Sequence, residues 1–219
     1  MFEYAAIDIE TTGLVPGDHQ VLEVGVVCDR IGDNGGCRFG DVTRIVLIRE
    51  DFYCSTYCAV LHAKLFAEMR AVMESDEWKQ KHGYVYLAEG IIRGDFDLPC
   101  DTYYVDMDHE DGYYAANIFR EAFRSLIREG HKINVAGKNL STFDIPHMEE
   151  AGLFLTDGES LQFCHRVFDP AVLYFDPDTD GRLPDLATCL ERAGMSSDVS
   201  HTAIHDALDI VQLIRHKFA

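Results

Sequence analysis

Two periodicities divide the chain. Residues 4–10 read as a strand with Ile7 and Ile9 on one face and Asp8 and Glu10 on the other. Residues 20–28 and 43–50 read as two more strands, and the short Gly- and Asp-containing links favour an antiparallel meander. Residues 52–73 are mixed apolar and predict a helix. Residues 112–129 carry Ala115, Ile118, Phe119, Ala122, Phe123, Leu126 and Ile127 at helical spacing, with Arg120, Glu121, Arg124 and Arg128 outward. Gly130 ends that run. Beyond it the pattern predicts a short strand at 133–136, a helix at 141–152 with Pro146 near its start, and a last short strand at 166–169. A helix at 183–193 holds Pro184 in its first turn. An amphipathic helix at 200–217 puts Ala203, Ala207, Ile210, Val211 and Ile214 on one stripe. A meander followed by alternating helices and strands predicts an α/β fold on a mixed sheet.

Residues 84–111 break the rhythm. The stretch DFDLPCDTYYVDMDHED holds seven acids and no Lys or Arg. It reads as an exposed insertion with room for a short strand, not as a domain. Charge then narrows the function. The 219 residues include 19 Lys and Arg against 38 Asp and Glu, a net of −19, too acidic to coat nucleic acid by bulk attraction. Seven cysteines at scattered spacings read as reduced thiols of a cytoplasmic protein, not a disulfide framework. Asp8 and Glu10 argue against a signal peptide in the first ten residues. No apolar run approaches the roughly 20 residues of a membrane span.

Three segments carry candidate chemistry. Asp8 and Glu10 lie two apart on one strand face, about 7 Å from each other, where they can share or flank divalent cations. A cation would replace the hydration that burial removes. The competing reading is an edge strand with a solvated polar face. NLSTFD at 139–144 follows a strand and opens a helix, a common place for functional groups in open α/β sheets. Ser141 to Asp144 also reads as a capping box. In HTAIHDA at 201–207, Asp206 sits at the edge of the apolar stripe, an expensive position without a partner. His201, five residues earlier, can turn toward the same place. His205 and Asp209 also read as an ordinary i, i+4 surface pair.

In order, D-x-E-T-T-G-L, N-x-x-x-F-D and H-x-A-x-x-D-A resemble the DEDDh exonucleases, which include proofreading exonuclease subunits, ribonuclease T and oligoribonuclease. The resemblance covers the chain in outline and about twenty residues in detail. It implies an RNase H-like fold, a five-stranded mixed sheet flanked by helices, in a single exonuclease domain over residues 1–219. It implies that Asp8, Glu10, Asp144 and Asp206 hold two divalent cations, Mg²⁺ or Mn²⁺, and that His201 is the general base. In that pattern Asp8 bridges both ions, Glu10 and Asp206 complete one, and Asp144 supports the other, often through water. A tyrosine subclass places Tyr four residues before the last Asp. That position is Thr202 here, so the histidine subclass fits. The resemblance further implies that the backbone at Thr11, Thr12 and Gly13 meets the terminal nucleotide and that Leu14 wedges against its base. Asn139 and Phe143 are further substrate-binding candidates, although Phe143 is better placed in the core. Lys138 and Arg166 are candidate phosphate contacts.

The implied activity is 3′–5′ hydrolysis at single-stranded DNA or RNA ends, releasing nucleoside monophosphates. With so little positive charge, short oligonucleotides suit the chain better than long free strands, unless a partner delivers them. The resemblance admits a homodimer and a polymerase or other nucleic-acid-processing partner. Departures accompany the match. There are 133 residues between Glu10 and Asp144, and the excess lies in roughly 51–112, between the third strand and the following core helix. Pro146 removes a donor two residues after Asp144. Three other readings compete. Cys54, Cys58 and His62, at i, i+4 and i+8, read as a zinc module with Cys100 or His109 as fourth ligand. A catalytically silent RNase H-like scaffold keeps the fold alone. A different RNase H-like endonuclease or transposase is the third, and the separation of His201 from Asp206 argues against it.

Overall fold

The computed structural model describes residues 2–32, 41–80, 85–92, 98–109, 113–154 and 161–218. Parts of the predicted insertion (84, 93–97, 110 and 111) and the first residue of the helix predicted at 112–129 lie outside them. Strands β1 (Phe2–Thr11), β2 (Val21–Ile31) and β3 (Val42–Ile48) form the expected antiparallel meander. Helices α1 (Thr56–Leu61), α2 (Ala63–Glu74) and α3 (Asp76–Gln80) follow, then strands β4 (Val85–Ile92) and β5 (Leu98–Asp106) and helix α4 (Tyr113–Glu121). Strand β6 (Val135–Ala136) and helices α5 (Asp144–Glu150), α6 (Leu186–Arg192) and α7 (Ala203–Phe218) complete the order, with a 3₁₀ turn at Pro170–Leu173 before α6. One mixed sheet runs β4-β5-β3-β2-β1-β6, with β5 parallel to β3 and β6 parallel to β1.

The α/β class and the helix-flanked mixed sheet are as predicted, and the strand count differs at both edges. The insertion is more than an exposed appendage. It supplies two sheet strands, and Tyr104 and Val105 of β5 are buried. At the other edge, the strand predicted at 166–169 reduces to a single bridge between Ala136 and Phe168. The helix predicted over 52–73 breaks at His62, where φ −98° and ψ 22° end α1 and begin α2. The run at 112–129 leaves the α-helix after Glu121. There i→i+3 bonds tighten the chain, with Phe123 donating to Arg120 O at 3.1 Å and Leu126 to Phe123 O at 2.8 Å. Pro184 precedes α6 instead of entering its first turn, because Asp185 is the N-cap and accepts the Thr188 amide at 2.9 Å.

The two faces of β1 explain the layers. Ala5, Ile7 and Ile9 face one core with Phe119, Phe123, Leu140 and Met148. Tyr4 and Ala6 face the other, under Ile204, Ala207, Ile210, Val211 and Ile214 of α7. Asp8 and Glu10 continue that second face, so the same stripe turns from apolar to acidic beneath the start of α7. Each fully buried aliphatic side chain contributes about 1.5–3 kcal/mol. Several on one helix therefore offset the cost of drawing an acid under it. At the far end of α7, Arg215 donates to Asp29, which also accepts the Tyr4 hydroxyl at 2.9 Å. Among the described residues, no helix is long and apolar enough to cross a membrane, and the described cysteines are all free thiols.

Candidate functional site

Strand register builds the site. Asp8 lies opposite Gly25, and Glu10 opposite Glu23. A Cβ on Gly25 would stand 2.4 Å from the Ala203 carbonyl and 2.6 Å from Ile204 Cα. Only glycine lets the first turn of α7 lie this close to β2. That turn delivers Asp206, and one carboxylate oxygen each from Asp8, Glu10 and Asp206 gather within 4.8 Å of one another. Asp206 is buried, and its Oδ1 has no hydrogen-bond partner among the described residues. Asp144 arrives at the head of α5, almost fully buried, and draws on the backbone amides of Ile9 and of its own residue. No capping box forms, because Phe143 is the N-cap and makes no side-chain capping bond. Pro146 falls in the first turn of α5, where a missing N–H costs nothing.

Burial pushes all four acids toward their neutral forms. The Asp8 carboxyl is raised well above the usual range, by desolvation and then by Asp144, Asp206 and Glu10. Burial lifts Glu10 to about 8, helped by Asp206, Glu23 and Asp144. It lifts Asp144 and Asp206 each to about 7. A divalent cation among carboxyls crowded this way would offset their mutual repulsion and stabilise their ionised forms. All the donors are oxygen, so the set fits a hard divalent ion such as Mg²⁺ or Mn²⁺. His201 stands exposed just ahead of α7, in the left-handed region at φ 51°.

No family model matches the chain, and no curated protein matches it. Solved structures do. The zinc ion bound form of an E. coli exonuclease I–ssDNA complex aligns over 100% of this chain at 13% identity and a TM-score of 0.58. Exonuclease I with a 5cy-dT13 oligonucleotide aligns over 97% at 12% identity and 0.56, and with a dA16 oligonucleotide over 99% at 11% and 0.59. The chain has the fold of exonuclease I. It spans about 40% of the length of those chains.

On this exonuclease I fold the remaining candidates take distinct positions. Thr12 is buried, its amide donating to Gln20 O at 2.9 Å and its hydroxyl accepting from Gln20 N at 2.8 Å, so its polar groups already serve the turn. The Thr11 hydroxyl donates to Gly13 O at 2.6 Å. Gly13 lies under the His19 ring, which a Cβ would meet at 2.1 Å. Leu14 is 79% exposed, the opposite of a packed turn leucine. Asn139 adopts φ 57°, and its carbonyl accepts the Thr142 and Phe143 amides, which makes it a turn former. Phe143 packs partly into the core and against the His147 ring at 4.4 Å. Lys138 lies near enough to Asp185 and Cys189 for its charge to reach them, and Arg166 is exposed. His205 Nδ1 lies 2.7 Å from Thr202 Oγ1.

The structure adds residues that sequence reading missed. Glu23, fully buried beside Glu10, accepts from Arg44 Nε at 2.7 Å. Burial still holds its carboxyl above the usual range, against the opposing pull of Arg44. Arg44 also grips Glu68 of α2 through two bonds, and Glu68 accepts the Tyr104 hydroxyl at 2.5 Å. This chain of charge ties the insertion to the acids. Among the described residues Cys54, Cys58 and His62 do not gather as a ligand trio. Cys54 is exposed, the Cys58 thiol donates to Thr11 O at 3.6 Å, and His62 turns toward Glu10 instead. Burial, and then the neighbouring His201, lower the His62 pKa. Helical spacing alone had put the three on one face; Cys54 instead precedes the Ser55 N-cap of α1, and His62, at the junction of α1 and α2, faces Glu10.

Proposed function

We propose that the chain is a metal-dependent 3′–5′ exonuclease that acts on single-stranded DNA or RNA ends and releases nucleoside monophosphates. The observation that carries this reading is the convergence of Asp8, Glu10 and Asp206 from a first strand and a last helix, with Asp144 beside them. Likeness to exonuclease I in complex with single-stranded oligonucleotides supports the substrate class. Residues 1–219 form one catalytic domain in this reading, with an insertion near 51–112.

Asp8, Glu10 and Asp206 hold the cations, and Asp144 supports them from α5. When bound, two divalent ions neutralise the phosphate and lower the pKa of water. His201, exposed just ahead of α7, takes the proton from the attacking water in this reading. On the same reading the turn at Thr11–Gly13 meets the terminal nucleotide through Gly13, the Thr12 amide being committed to Gln20 O, and the projecting Leu14 side chain separates its base from the next. Burial raises the carboxyls of Asp144 and the other acids, and a bound cation would favour their ionised forms, so chelation would weaken the site as well as remove the ion.

The test uses 5′-labelled single-stranded DNA and RNA oligomers of matched sequence, with Mg²⁺, Mn²⁺ or chelator, and wild type beside Asp206→Ala. A ladder shortening from the 3′ end is expected, abolished by chelator and reduced at least 10³-fold, to order of magnitude, in the variant. Internal fragments, or degradation indifferent to chelator, overturn the proposal.

A further inference from the structure

The insertion sends one side chain into the acid site. His62 is 4% exposed, at the junction where α1 stops and α2 starts. Its backbone is pinned on both sides, with its amide donating to Cys58 O at 2.9 Å and its carbonyl accepting from Phe66 N at 3.0 Å. Cys58, one turn earlier, touches the Thr11 carbonyl, so the whole junction is docked on the end of β1. The imidazole Nε2 lies 3.6 Å from Glu10 Oε2. Its Nδ1 is buried and has no hydrogen-bond partner among the described residues.

That asymmetry chooses the tautomer. A buried N–H without an acceptor is costlier and rarer than a buried acceptor without a donor. The proton therefore belongs on Nε2, the nitrogen that faces Glu10, and Nδ1 is left as the empty acceptor. At 3.6 Å the two groups are apposed and not yet hydrogen-bonded. A small rotation of either side chain closes the gap. Glu10 is the natural acceptor once ionised, and an ionised carboxylate forms the stronger bond.

We propose that His62 is a positioning residue for Glu10. Its Nε2–H holds Glu10 Oε2 and so leaves Oε1 directed at the cation. This role rests on the reading of the acids as a cation site. It also gives the insertion a function in the site itself: the segment brings a donor that orients a ligand, a kind of partner whose loss typically costs 10–100-fold in metal affinity or activity.

Calorimetric Mn²⁺ binding to wild type, His62→Leu and His62→Gln, paired with steady-state kinetics on a short oligonucleotide, tests it. Leucine fills the space without a donor, and glutamine restores an N–H. Expected for His62→Leu are Mn²⁺ binding weakened about 10-fold or more and kcat lowered similarly with KM within about threefold, both largely recovered in His62→Gln. Wild-type affinity in His62→Leu, equal loss in both variants, or a loss confined to KM overturns the role. If leucine unsettles the fold, ¹⁵N-histidine spectra of wild type decide. An Nε2–H tautomer whose resonance moves on Mg²⁺ addition supports the role, and an Nδ1–H tautomer or no response overturns it. Wild type that binds no Mn²⁺ at all removes the cation site and this role together. Binding by wild type with no effect at residue 62 removes the role alone.

Discussion

A carboxyl whose pKa is higher folded than unfolded binds extra protons in the folded state between the two values. For Glu10 that interval runs from 4.5 to about 8, and for Asp144 and Asp206 from 3.8 to about 7. Their contribution is thus fully present below pH 4 and is lost as pH climbs through 7 and 8. Cation-free protein should therefore melt at progressively lower temperature from pH 5 to pH 8.5. Asp206→Asn removes one titrating group and its repulsion of Glu10 and Asp8. The variant should match wild type near pH 5 and exceed it at pH 8.5 by on the order of 5 °C in thermal melts. Added Mn²⁺ should raise the wild-type melting temperature at pH 8 by mass action and leave the variant nearly unmoved. A gap between the two proteins that ignores pH would contradict the burial of these acids.

At the scale of elements, the close approach of α7 to β2 governs the site. Gly25→Ala forces the Ala203 carbonyl or the strand to shift, an overpacking that costs roughly 1–3 kcal/mol. Urea unfolding should show that loss. Mn²⁺ affinity should fall more than stability does, because the displaced turn carries Asp206. The acids themselves were legible in the sequence, since a charged pair on a strand otherwise full of aliphatics has few explanations. The partner of Glu10 was not. Glu23 sits opposite it only through strand register, and the Arg44–Glu68–Tyr104 chain joins elements that no local pattern links. The insertion's strands were hidden for a similar reason. Acids on β5 mask its inward members: Tyr104 is buried against Leu65, Met69 and Trp78 of α2 and α3, which no local pattern links to it.

For the whole molecule, the net charge of −19 limits how a phosphate chain can be held. A grip on two or three terminal phosphates predicts a salt dependence of binding with a logarithmic slope of about −2 or shallower. Shortening a single strand from about thirty to about five nucleotides should then change turnover little. Fluorescence titrations across salt concentrations and initial rates on a length series measure both. A steep slope, or a sharp fall at five nucleotides, would require an extended binding track that the charge balance does not offer.

The ligands' division between the first strand and the last helix has a practical corollary. A chain severed between β1 and α7 leaves each fragment with an incomplete set of acids, and under the proposed function neither would cleave a strand by itself. Activity would return only when the pieces reassociate and the α7 turn settles again over Gly25. The architecture is thus suited to split-protein complementation, and if the proposed activity holds, strand cleavage would report that two halves have met.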